Sequence, residues 1–210
     1  MKRISALLAT AVCAVVMTTT ATAAIPVYDE GSGLLAGFDD VSVNHPAPTL
    51  YDVRFVDGTY DTVFAGGYGL AFGTSYDLTG ATNASLALDQ LLVDGPLGQL
   101  ESVPALIFGC AGTPSYCALI TPYAPATPTT VSNFFYMNYP GATSDQFAGS
   151  PNDPRTRNTA IDSRTVWATW TPAAVVPVPA AGWLLGSALV GLATGVWRRR
   201  RSPGGSAGSS

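Results

Sequence analysis

The chain has 210 residues, 47% of them hydrophobic, and a formal charge of −4. That balance hides a polarity: six of its ten basic residues (Lys2, Arg3, Arg198, Arg199, Arg200 and Arg201) sit at the two ends, leaving Arg54, Arg155, Arg157 and Arg164 against fourteen acids, a net −10, with no lysine between. With one histidine, this excludes a paired-His metal site and a lysine-bearing phosphate loop, and its field repels nucleic acid and anionic lipid.

In chain order, Lys2 and Arg3 precede an apolar stretch over 4–17, and residues 18–24 are small. This is the form of a secretory signal peptide, which signal peptidase removes. Ala21-Thr22-Ala23 supplies the small-x-small pattern, so cleavage is expected after Ala23, with cleavage after Ala24 as the alternative. Between this leader and the apolar C-terminal segment lies one domain of ordinary size, large enough for a real core.

That ectodomain, residues 24–171, reads as mainly β (α+β): an antiparallel sheet or sandwich with one packed helix. Residues 25–37 are mostly small and polar, with 29–33 reading as loop, and 35–43 read as a first strand or arm. His45, next to Pro46, reads as a loop residue without a partner nucleophile. Over 50–56, Tyr51, Val53 and Phe55 alternate with Asp52 and Arg54, the period of a half-buried strand. Asp57-Gly58-Thr59 signals a turn, and 60–64 is expected to return as the second strand of a hairpin. Tyr68, Leu70 and Phe72 alternate again, which would complete a meander.

Residues 81–92 change period. Ala84, Ala87, Leu88, Leu91 and Leu92 fall on one helical face, with Asp89 and Gln90 opposite and Thr82 or Asn83 as the cap. After short apolar pieces over 103–108, Cys110 and Cys117 bracket a loop containing Gly112 and Pro114. An oxidising compartment favours a disulfide between them. Residues 118–121 are apolar, and Pro122, Pro125 and Pro128 predict irregular chain. Residues 131–138 read as a strand, 141–158 as a polar loop, and 164–171 as the last strand.

The C-terminal end carries a three-part pattern. Val176, Pro177, Val178, Pro179 and Ala180 form an extended, proline-broken approach within a linker over 172–179. An apolar helix over 180–197 follows, roughly 27 Å long at about 1.5 Å per residue, near the ~30 Å of a bilayer core. Arg198, Arg199, Arg200 and Arg201 stop transfer and bias that end to the cytoplasm. Residues 202–210 are a polar tail.

This order resembles the PEP-CTERM sorting signal of exopolysaccharide-producing Gram-negative bacteria, in its VPLPA-type variant, with Val178 in place of the usual Glu or Leu and the tail 202–210 extending past the arginines. The resemblance implies recognition and processing at 176–180 by an exosortase, a membrane-embedded protease or transpeptidase. It also implies an inner-membrane precursor that becomes a cell-surface or extracellular protein associated with exopolysaccharide or biofilm. A plain single-pass anchor needs the same helix and flanks and is the alternative. The stretches 51–59 and 87–92, with Gly109-Cys110, are similar to a recurrent kind of ectodomain carried by such proteins, one without an assigned activity.

No catalytic constellation emerges. There is no Gly-x-Ser-x-Gly elbow, and acid pairs such as Asp39 with Asp40, or Asp57 with Asp61, read as turn formers rather than a glycosidase pair. The expectation is a non-enzymatic protein without a cofactor. A calcium-supported carbohydrate-binding module is the second reading, with Asp57, Asp61, Asp145 and Asp153 as the candidate oxygen donors.

Overall fold

The computed structural model describes residues 23–65, 69–72, 76–93, 100, 103–112, 115–124, 127–140 and 145–174. The expected leader over 1–22, the sorting motif, the membrane helix and the arginine stop lie outside the described residues. No described helix is long and apolar enough to cross a membrane.

Seven strands form one sheet in the order β1-β2-β3-β7-β4-β5-β6. They are β1 (Ile25–Tyr28), β2 (Leu35–Asn44), β3 (Pro48–Val56), β4 (Cys117–Ala124), β5 (Thr130–Asn138), β6 (Gln146–Pro154) and β7 (Thr165–Pro172). Two antiparallel meanders, β1-β2-β3 and β4-β5-β6, are joined by the last strand, which inserts between β3 and β4. β7 runs antiparallel to β3 and parallel to β4. The sheet is thus mixed, a correction to the purely antiparallel expectation; closure of the sheet by a late central strand sets the parallel pair.

Position explains the composition of β7. Its two faces both lie under other elements, and Val166, Trp167, Ala168 and Trp170 are buried. Buried on both faces, such a strand is apolar at successive positions instead of alternating. On one face, α2 (Leu78–Val93) packs over β2, β4 and β5. Leu88 and Leu92 join Val53, Phe55, Leu119, Val166 and Trp170 in the main core. On the other face, α1 (Tyr60–Val63) brings Tyr60 and Phe64 edge-on to Trp167, with ring centroids at 5.9 and 5.5 Å. Burying each large apolar side chain contributes about 1.5–3 kcal/mol.

Several local expectations change. Residues 60–63 form a helical turn, not a strand, because Thr59 caps it by accepting the Thr62 N–H while β3 finds its partners in β2 and β7. Leu70 bridges to Trp170 and Phe72 packs on it, so the described residues 69–72 form no third meander strand. α2 starts at Leu78, and Asp77 caps it by accepting the Gly80 N–H at 2.8 Å. Thr82 and Asn83 lie inside the helix, bonded to the Leu78 and Asn44 carbonyls. Asp89 is directed toward the Tyr136 hydroxyl rather than away from the sheet.

Residues 25–28, to which the sequence assigned no element, form a strand paired with β2, and 29–34 are the turn between them. Pro122 sits within β4 opposite Asn133, beyond the three residues that pair with β7, so its missing N–H breaks no ladder there. Gln146–Pro154, read as loop, is an edge strand on β5, exposed at every position except Ser150 and Asp153. Its Gly, Ser and Pro content suits an edge that must not recruit further strands.

Candidate functional site

Three segments distant in sequence meet at the end of β3. After Val56 the chain turns through Asp57 and Gly58 into the Thr59 cap of α1. The Gly58 N–H donates to Thr159 Oγ1 at 3.0 Å. The Gly58 carbonyl accepts from the Thr159 N–H at 3.0 Å and from Trp167 Nε1 at 2.9 Å. Asn158 caps the short 3-10 turn Thr159–Ile161 by accepting the Ala160 N–H. Gly109 supplies the third wall, next to the disulfide-bonded Cys110, whose Cα lies 5.7 Å from that of Cys117.

Glycine is required at two of these positions. Gly109 has φ +84°, and a Cβ there would lie 2.7 Å from Val166 Cγ2 and 2.8 Å from Asp57 Oδ1. Gly58 has φ +145°, and a Cβ there would lie 2.6 Å from Thr62 Oγ1. Both positions sit in the φ range that L side chains avoid.

The result is a pocket of about 300 Å³ whose lining includes Ser32, Asp57, Phe108, Thr159, Ile161 and Ser163. Asp57 Oδ1 is shielded from solvent and has no hydrogen-bond partner. Burial pushes the Asp57 carboxyl above the usual carboxylate range, and the Thr159 hydroxyl opposes this only in part. Ile161, 84% exposed, stands at the rim. Asp57 Oδ1 is packed on the Gly109 backbone and not on the open side of the pocket, so its unmet acceptor is a cost internal to the fold.

The other acids considered from sequence are dispersed and internally engaged. Asp61 pairs with Arg155, whose guanidinium also lies over the Tyr60 ring. Asp153, nearly buried, accepts two bonds from Arg157 at 2.7 and 2.8 Å and one from Asn133 at 2.9 Å. Asp145 accepts from the Tyr136 hydroxyl at 2.7 Å and the Tyr139 N–H at 2.8 Å. Burial, then Asp145 and Asp89, hold the Tyr136 phenol far above its ordinary value. Asp39 pairs with Arg54. Among the described residues, no three His, Cys, Asp or Glu side chains converge as metal ligands.

His45 lies in the β2–β3 connection, and its Nε2 is 3.0 Å from Asp77 Oδ1, a carboxylate and not a nucleophile. The same carboxylate oxygen caps α2, so the pair ties the β2–β3 connection to the start of the helix. The sequence reading of the pocket reached only Asp57. Gly109 enters the sequence reading only through the ectodomain resemblance, and Thr159 and Ile161 do not enter it as site residues. The Asn158-Thr159 dipeptide carries a capping signal, but nothing in it indicates Asp57 as neighbour. Compared with family models, curated proteins and solved structures, the chain matches none.

Proposed function

We propose that this is an exported, non-enzymatic cell-surface or matrix protein of a Gram-negative bacterium, sorted by its C-terminal segment. The observation that carries this reading is the order Val176-Pro177-Val178-Pro179-Ala180, apolar helix, Arg198 to Arg201. In it, an exosortase recognises and processes the proline motif while the helix holds it at the membrane and the arginines stop transfer. The partners are signal peptidase, the exosortase and an exopolysaccharide matrix. An acidic, lysine-free domain with its cysteines joined suits an oxidising exterior and stays soluble there.

The test is replacement of Pro177 and Pro179 by alanine in the native host, followed by fractionation. The sorted protein is expected to leave the inner membrane and the double variant to remain there. Equal distribution of the two would contradict the role of the motif.

A further inference from the structure

We propose that cleavage after Ala23 creates the group that fills another pocket of the domain: the α-ammonium of Ala24, held there by the Asp40 carboxylate. The inference rests on the export reading above and deepens it, by giving the mature terminus a place in the fold.

The pairing of β1 with β2 brings the two residues together. Pro26 lies opposite Phe38 and Ile25 opposite Asp39 in an antiparallel register, so the position before Ile25 falls opposite Asp40. Ala24 is partly buried and packs against the main core, whereas Ala23 is exposed. The chain therefore enters the sheet between these two residues, at the bond that the small-x-small pattern marks for cleavage. Ala24 and Asp40 both line a pocket of about 210 Å³, with Ser42 of β2 and Gln90 and Leu91 of α2. That volume holds an ammonium together with a few waters, each occupying about 30 Å³.

Asp40 suits the role. Among the described residues it is the one non-glycine with a positive φ, 57°. It sits at the irregularity in the β2–β3 pairing between Phe38 and Val41, where an extra residue re-aims a side chain. Its N–H donates to Asp52 Oδ1 at 3.2 Å, but among the described residues no hydrogen bond or ion pair engages its side chain. The neighbouring acids are occupied, Asp39 by Arg54 and Asp52 by the Asp40 N–H. No lysine, arginine or histidine lines the pocket. In a domain of net charge −10, a partly buried carboxylate without a cation favours the cation that processing itself makes. Before cleavage the nitrogen of residue 24 is a neutral amide, and the pair cannot form.

The sequence supplies a clean probe. Lys2 is the one lysine of the chain, so once the leader is removed the α-amine is the one primary amine left. The experiment recovers the protein from its native host, reads its N-terminus by mass, labels the α-amine by reductive ¹³C-methylation and titrates it by NMR. The chain is expected to begin at Ala24. Its α-amine is expected to lose its proton about half a pH unit higher in the wild type than in Asp40→Asn, the size of a partly exposed ion pair. Asparagine tolerates the left-handed backbone at this position, so the variant keeps the bulge. Glu30→Gln, exposed in the β1–β2 turn, removes the same charge elsewhere and is expected to leave the midpoint unchanged. A chain beginning at Ile25 would overturn the proposal and leave export standing; a retained leader would overturn both. A chain beginning at Ala24 whose midpoint ignores Asp40→Asn, or moves as far with Glu30→Gln, would overturn the proposal and leave the cleavage site standing.

Discussion

The indole Nε1 of Trp167 donates to the Gly58 carbonyl at 2.9 Å, joining the central strand to the turn that carries Asp57. The same carbonyl also accepts from Thr159, so one backbone oxygen ties β7, the β3–α1 turn and the 158–161 turn together. Trp167→Phe keeps a ring in the core but removes this donor and leaves a small void. A destabilisation of about 2–4 kcal/mol is expected, measured by urea unfolding. A change below about 0.5 kcal/mol would mean that the hydrogen bond and the packing around it are dispensable.

Asp57 carries the clearest pH signature. Its folded carboxyl lies above the ordinary value of 3.8, so the native state holds the proton to higher pH than the unfolded chain. Stability linked to this group is therefore full below the unfolded value and is lost as pH rises through the folded one. Asp57→Asn removes that loss. The variant is expected to melt above the wild type at pH 7, with the difference closing as pH falls toward 4. A variant less stable than wild type at pH 7 would contradict this linkage.

Asp153 is nearly buried and depends on Arg157 and Asn133. Arg157→Ala strands the carboxylate. The expected loss is about 2–3 kcal/mol, less than the ~3–5 for a fully buried pair because Arg157 is a third exposed. Adding Asp153→Asn to Arg157→Ala is expected to restore part of it, as read by a double-mutant cycle in urea. Purely additive losses would show that the two side chains act independently.

Ala24 and Asp40 line a second pocket, of about 210 Å³, together with Gln90 and Leu91. If signal peptidase cuts after Ala23, the new α-ammonium lies at this pocket, which Asp40 also lines. In protein beginning at Ala24, Asp40→Asn is expected to lower stability by about 0.5–1 kcal/mol. In protein retaining Ala21 to Ala23 the same substitution is expected to be neutral. Equal effects in the two forms would separate Asp40 from the mature terminus.

What was legible in the sequence follows from how local each cause is. The alternation of Tyr51, Val53 and Phe55 with Asp52 and Arg54 marks β3 directly, and the stripe from Ala84 to Leu92 marks α2. Both signals arise from one face meeting a core. β6 was hidden because backbone pairing to β5, not side-chain burial, makes it a strand. α1 was hidden because the Thr59 cap outweighs the β propensity of Tyr60 and Val63. The pocket was legible only as a turn carboxylate. The bond that positions it, from Gly58 to Thr159, spans a separation of 101 residues, and the insertion of β7 that brings them together has no local signature.

The most direct test of the sorting account is the intact mass of the protein recovered from its native host, with and without a functional exosortase. The account predicts an N-terminus at Ala24 and a C-terminus within 176–180, with the C-terminal processing lost when the exosortase is removed. A chain still carrying Arg198 to Arg201 in both strains would contradict it and leave a plain membrane anchor.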